Sequence, residues 1–175
     1  MKTPEMWLEE VLASSEKLDN WLARQYIGEK LAAERIAELS MSSDLSEAAQ
    51  IDILSVALDE RTHAAWIKAL LQHRGLPIPD VSMEKDRYWK EVLPNALTLD
   101  QKLAAGHHAE TMRLHRIRLL ASDKRVPGSI PQVFRAILAD EERHAEIFAR
   151  HTSVEAITEM AAHHEAGLSA LGLEI

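Results

Sequence analysis

The chain contains no cysteine. That excludes a disulfide framework, thiolate-bound zinc, an iron–sulfur cluster and a cysteine nucleophile. Glycine and proline are scarce, six of each in 175 residues, and aromatic residues make up only 5%. Few helix breakers beside abundant Ala, Leu and Glu lean towards helix. Basic residues are outnumbered, 20 Lys and Arg against 28 Asp and Glu, for a formal net charge of −8. A nucleic-acid-binding face needs clustered cations to neutralise phosphates, so no nucleic-acid partner is expected. No run reaches the ~18 apolar residues of a membrane span. The opening residues, MKTPEMWLEEVLASSEK, carry acids where a secretory signal needs an uninterrupted apolar stretch. The expectation is a cytoplasmic protein without a membrane partner, folded as one domain over residues 1–175. Histidine is the residue in surplus, nine in an acidic chain. Imidazole and carboxylate together are the ligand set of non-thiolate metal sites.

Apolar residues recur with helical period almost throughout, and no alternating strand pattern appears. The spacing predicts long helices over residues 16–40, 45–73, 99–122 and 130–151. Thr3-Pro4 carries an N-cap signature that extends the first helix N-terminally. Asp44, with Glu47 three residues on, reads as the cap of the second helix. Thr98 with Gln101 and Ser129 with Gln132 read as capping boxes for the third and fourth. The links after the first and third helices are short, so each pair forms an antiparallel hairpin. Residues 74–98 hold Pro77, Pro79 and Pro94, with a helical turn or two around 83–92. That segment is long enough to run the length of a bundle. The result is an all-α, antiparallel four-helix bundle over about 16–151, two hairpins joined by one long crossover. A further helix follows over about 153–170.

Two E-x-x-H motifs occur, Glu60–His63 and Glu141–His144. Chance alone supplies such a pair in a chain this rich in Glu and His, so their placement matters more than their number. With ~100° per residue, the sector around Glu60 holds Ile53, Val56, Ala57, His63, Ala64, Ile67 and Leu71. The sector around Glu141 holds Phe134, Ile137, Leu138, His144, Ala145 and Phe148. Glu110 falls among Leu99, Leu103, Gly106, Leu114 and Ile117, and Glu29 among Leu18, Leu22, Ala32, Ala33 and Ile36. Each helix therefore aims one glutamate into its apolar stripe, where an unpartnered carboxylate costs several kcal/mol.

A shift of 81 residues carries Glu29, Glu60 and His63 onto Glu110, Glu141 and His144. It also carries Asp59 to Asp140, Leu18 to Leu99, Leu22 to Leu103 and Ile36 to Ile117. Two matching hairpins would bring both triplets to one level of the bundle. Four carboxylates and two imidazoles converging there make a dinuclear metal site.

The order Glu, E-x-x-H, Glu, E-x-x-H resembles the ferritin-like superfamily of di-iron carboxylate proteins, over about residues 16–151. The resemblance implies a ferritin-like bundle in which Glu29, Glu60 and His63 serve one metal. Glu110, Glu141 and His144 then serve the other, with Glu60 and Glu141 as bridges. It implies two iron ions as cofactor, Mn/Fe or Mn/Mn being the alternatives. Asp140-Glu141-Glu142-Arg143-His144 is similar to the D-E-x-R-H form of di-iron oxygenases and desaturases, whereas Asp59-Glu60-Arg61-Thr62-His63 lacks the arginine. Asp59 and Asp140 would each accept the free N–H of a ligating imidazole. Around them, His107 is either a further ligand or base, or a locally bonded boundary residue. Arg113 either pairs with the ligand carboxylates or is solvated, and Tyr26 is either a donor or redox relay to the site or a packing residue. The four Trp read as core or interface residues, and His163 and His164 as surface. Small residues near the ligands (Gly106, Ala32, Ala33, Ala57, Ala64 and Ala145) leave room for dioxygen or a substrate, or merely allow close helix approach.

By resemblance the leading expectation is an oxygen-activating oxidoreductase, an oxygenase or hydroxylase of an organic substrate. Its partners would be dioxygen or peroxide, an external electron donor and a small apolar substrate, and a homodimer is compatible. The alternatives are a rubrerythrin- or ferritin-like peroxide reductase or ferroxidase, and a non-enzymatic helical protein with a structural metal site.

Overall fold

The computed structural model describes residues 2–82 and 86–173. These form seven α-helices and no strand: α1 (Pro4–Leu12), α2 (Ser15–Ser40), α3 (Glu47–His73), α4 (Arg87–Val92), α5 (Leu99–Ser122), α6 (Ile130–Arg150) and α7 (Val154–Leu171), with a 3₁₀ turn over Leu93–Asn95 after α4. The four long helices coincide with the predicted ones, and the tail helix is present as α7.

The helix starts show which capping signals were real. Thr3 does cap a helix, its Oγ1 accepting from Met6 N, but that helix stops at Leu12 instead of running into the next. Ser14 breaks it, because its extended backbone starts α2 afresh and its Oγ accepts from Lys17 N. The cap of α3 is Ser46, not Asp44, with Oγ accepting from Ala49 N at 3.2 Å. Thr98 and Gln101 form the reciprocal capping box that opens α5. Ser129 forms none. Its backbone is already helical, so its hydroxyl does not face the free N–H groups of α6. The crossover helix begins only at Arg87, and residues 83–85 of the expected turn lie outside the described residues.

Helix α2 packs along α3, and α5 along α6, which are the two hairpins. Across the bundle α3 meets α6, whereas α2 and α5 stand apart. The crossover carries α4 onto α7, and α7 also packs on α5. The apolar interior is divided in two. One cluster holds Leu22, Leu31, Ile67, Leu71, Ile117, Phe134 and Ile137, and the other Ala32, Ile36, Ile53, Val56, Leu103 and Phe148. Between Ile53–Ala57 and Ala64–Leu71 on α3 lie Glu60 and His63, and between Ile137 and Ile147 on α6 lie Glu141 and His144. A polar layer separates the two apolar clusters.

Candidate metal centre

That layer is dry. Glu60, His63, Glu141 and His144 are 0% exposed, Glu29 1% and Glu110 3%. Their donor atoms fall into two overlapping groups, Glu29, Glu60, His63 and Glu141 in one, and Glu60, Glu110, Glu141 and His144 in the other. Within each group the donors lie within 4.8 Å of one another. Glu60 and Glu141 belong to both, the position expected of them as bridges. The cluster thus pairs each half of the sequence repeat with a glutamate of the other half.

The imidazoles are held from behind. His63 Nε2 donates to Asp140 Oδ2 at 3.2 Å, and His144 Nε2 donates to Asp59 Oδ2 at 3.2 Å. Each Asp precedes its own helix's glutamate but serves the histidine of the opposite helix. Arg143, from the D-E-x-R-H stretch, joins both by reaching Asp59 Oδ2 at 2.6 Å and Asp140 Oδ1 at 3.1 Å. Burial works against the Asp140 carboxylate, but the His63 N–H and Arg143 hold its pKa below the usual value. With Nε2–H so occupied, both Nδ1 atoms face the cluster.

Inside, His63 Nδ1 is 3.7 Å from Glu29 Oε2, from Glu60 Oε1 and from Glu141 Oε1. His144 Nδ1 is 3.1 Å from Glu60 Oε1 and 3.9 Å from Glu141 Oε2. Glu29 Oε2, Glu60 Oε1, both Glu141 oxygens and both Nδ1 atoms lack a partner with hydrogen-bond geometry. Buried polar atoms are rarely left so. Such separations are those of neighbouring ligands on first-row metal ions, which bind at about 2.0–2.2 Å. The donor chemistry, oxygen and imidazole without thiolate, suits iron or manganese. The residues fit a pair of such ions.

Arg113 lies among the carboxylates instead of in solvent. Its Nη2 is 2.5 Å from Glu29 Oε1 and 2.7 Å from Glu141 Oε1, and its Nη1 is 3.1 Å from Glu60 Oε2 and 3.4 Å from Glu110 Oε2. The protonation of the layer follows from burial set against these contacts. Burial raises Glu29 and raises Glu141 further, Arg113 opposing it at both. At Glu60, burial is outweighed by Arg113, His144 and His63, so its carboxyl is held well below the usual range. Burial disfavours a charged His63, yet Glu29 and Glu60 lift its pKa to about 10, and His144 is raised in the same way.

The other sequence candidates lie outside this cluster. His107 Nδ1 donates to the Ala145 carbonyl at 3.0 Å, tying α5 to α6 beside His144. Tyr26 is buried in the larger apolar cluster. Trp7 and Trp21 are core residues in edge contact, while Trp66 is 37% exposed. His164, expected at the surface, is instead bonded to Tyr88 Oη at 2.8 Å and stacked on His108 at 4.8 Å. Gly106 permits close approach, since a Cβ there would lie 2.8 Å from the Phe148 ring.

A cavity of about 940 Å³ opens between α2 and α5 and reaches Glu29, Glu110 and Arg113. Ala32, Gly28 and Ala109 line it. At Gly28 a Cβ would meet nothing within 4 Å, so small residues here do leave space. Sequence reasoning did not pick out the arginines of this wall, Arg24, Arg35, Arg87 and Arg116. Their signal was present: Arg35 and Arg116 follow Glu29 and Glu110 by six residues and obey the same 81-residue shift.

Comparison with curated proteins gave no match, and neither did comparison with solved structures. Among protein families, the rubrerythrin model matches residues 20–152, the segment that carries all six buried Glu and His residues. The chain belongs to the rubrerythrin family, within the ferritin-like di-iron carboxylate superfamily.

Proposed function

We propose that this protein is a di-iron oxidoreductase that uses dioxygen or peroxide and oxidises an organic substrate held in the α2–α5 cavity. Glu29, Glu60, His63, Glu110, Glu141 and His144 would hold the metals, with Glu60 and Glu141 shared. When bound, two irons supply the electrons and the binding site needed to reduce dioxygen or peroxide. The protein's own contribution is to hold two neutral imidazoles by Nε2–H, to place four carboxylates whose modes adapt, and to keep water out with two apolar clusters. Having no cysteine, the chain has no thiolate-held iron of its own to feed the centre. Electrons therefore come from a separate donor.

The observation that carries an organic substrate is the cavity, which is far larger than peroxide needs and reaches the ligand carboxylates. Family membership favours a second reading, peroxide reduction without an organic substrate. Elemental analysis and turnover assays separate these. The proposal expects about two Fe or Mn per chain, optical changes on adding dioxygen or peroxide to reduced protein, and product from an organic acceptor. Peroxide consumption that is indifferent to any organic compound establishes the second reading. Protein that binds neither metal under anaerobic reconstitution refutes both.

A further inference from the structure

Of the chain's two tyrosines, Tyr88 lines the cavity that reaches Glu29 and Glu110, and Tyr26 does not. Helix α4 turns Tyr88 inward, leaving it 3% exposed, with the Trp89 ring in edge contact at 5.2 Å. Gly167 of α7 makes room for it, since a Cβ there would lie 2.6 Å from the Tyr88 ring. Glycine within a helix is destabilising, and here it lets the phenol reach across to the same face of α7. Tyr88 Oη lies 2.8 Å from His164 Nδ1. The His164 ring is stacked on His108 of α5 at 4.8 Å and 15°, and His107 lies 5.7 Å from His108. Burial and these two imidazoles push the His164 pKa down to about 4, so its ring is neutral at neutral pH and accepts the Tyr88 proton in this hydrogen bond. Burial, and next the Glu110 carboxylate, hold the phenol's pKa above its usual value. The resting phenol therefore keeps its proton, while negative charge from the metal layer favours loss of an electron. A phenol that loses an electron becomes strongly acidic and needs a base at hydrogen-bond distance to take its proton. Here that base is present and is kept unprotonated.

We propose that Tyr88 and His164 form a proton-coupled redox pair, in which Tyr88 gives one electron to the metal centre during peroxide reduction and passes its hydroxyl proton to His164 Nδ1. This rests on the reading that the centre reduces dioxygen or peroxide, and it names an electron source within the chain. Hydrogen peroxide becomes two waters by breaking its O–O bond and taking up two electrons and two protons. One electron comes from a ferrous ion, which becomes ferric, and the other from Tyr88. The phenol's O–H bond breaks and an Nδ1–H bond forms on His164, while the protons of the two waters come from solvent. The external donor then returns one electron to the phenoxyl radical, and His164 returns the proton.

The test is freeze-quench electron paramagnetic resonance on ferrous-loaded protein mixed with hydrogen peroxide. A tyrosyl signal is expected in the parent and in Tyr26→Phe but not in Tyr88→Phe, at equal iron content and equal helical circular dichroism. His164→Ala should form the radical about 100-fold more slowly, and added imidazole should restore part of the rate, which a merely structural histidine would not allow. His164→Gln, which keeps a hydrogen-bond acceptor without a base, should be as slow as His164→Ala. A metal-free measurement accompanies these. In chelator, the voltammogram of Tyr26→Phe less that of the Tyr26→Phe, Tyr88→Phe double variant isolates Tyr88, whose potential should rise when His164→Ala is added. Peroxide consumed without a tyrosyl signal, or with the signal kept in Tyr88→Phe, overturns the proposal and leaves the proposed function standing. His164 variants with the parent's rate and potential overturn it equally. Protein that takes up neither Fe nor Mn, yet shows a Tyr88 potential that depends on His164, refutes the proposed function and leaves the redox pair standing.

Discussion

Replacing Arg113 by Met would keep an unbranched apolar stem and remove the cation that touches all four glutamates. In chelator, the variant would leave Glu29, Glu60, Glu110 and Glu141 to share one dry layer with only the imidazoles as counter-charges. Removing one partner of a buried ionic network typically costs about 3–5 kcal/mol. The lower end applies here, because Glu29 and Glu141 are already shifted towards holding a proton and can absorb part of the imbalance. For a domain of this size about 3 kcal/mol is a fall in Tm of roughly 6–12 °C. With iron or manganese bound, the metals neutralise the same carboxylates, and the expected loss shrinks to under about 1 kcal/mol. The difference between the two states, about 2 kcal/mol, must reappear as tighter metal binding by the variant, more than tenfold. Thermal melts of parent and R113M, each in chelator and in excess Mn(II), measure all four corners of the cycle. An equal fall in Tm in both conditions, or no fall in chelator, would refute the claim that Arg113 acts as the counter-charge of this layer.

Three further outcomes are expected. Asp140→Ala removes the acceptor of His63 Nε2–H and one anchor of Arg143, and should weaken metal binding by about 10–100-fold with little change in helix content; unchanged affinity counts against the imidazole's being positioned from behind. Metal loading should release at least one proton per chain near neutral pH, any held by the raised Glu29 and Glu141 together with the Nδ1 protons that His63 and His144 must lose to bind. Both pKa values are raised, so affinity climbs with pH through neutrality and levels off only near the His63 value of about 10, and proton uptake or a pH-independent affinity in a weakly buffered titration contradicts this. Gly106→Ala gains about 1 kcal/mol of helix propensity but places a methyl 2.8 Å from the buried Phe148 ring, an overpacking cost of about 1–3 kcal/mol, so its Tm should fall by up to about 8 °C and not rise.

The bundle and the burial of the six Glu and His residues were legible because both are written in one signal, the helical period of apolar residues. A glutamate inside that stripe, as at Glu60 or Glu141, has no inexpensive explanation except a partner. The helix starts were less legible. Asp44, Ser46 and Ser129 are all competent caps by type, and only the backbone conformation chooses Ser46 and disqualifies Ser129. The crossed pairing of Asp59 with His144 and of Asp140 with His63 was hidden, because a helix's own register does not reveal what faces it across the α3–α6 contact. Arg113 sat at the edge of a stripe, and a long flexible stem reaches either solvent or core from there.

The open side of the bundle ties these residues together. Helices α3 and α6 carry both E-x-x-H motifs and meet directly, so their half of the centre is sealed and its histidines are fixed by the opposing Asp residues. Helices α2 and α5 carry one glutamate each and stand apart, with Gly28, Ala32, Gly106 and Ala109 on the cavity wall. In the repeat, Ala32 is the counterpart of Arg113, and Arg35 of Arg116. The two-fold symmetry of the buried layer is therefore broken behind the imidazoles, where Arg143 has Thr62 as its counterpart, and again among the carboxylates, where a single arginine enters from α5 and the matching position on α2 is left small. The same repeat keeps an arginine, Arg35 or Arg116, one step farther out on each helix. The asymmetry leaves one approach to Glu29 and Glu110, on the α2 side, past Gly28 and Ala32 and opposite an arginine already engaged by the glutamates. A symmetric site would have filled both positions or neither, and would have had no preferred side of approach.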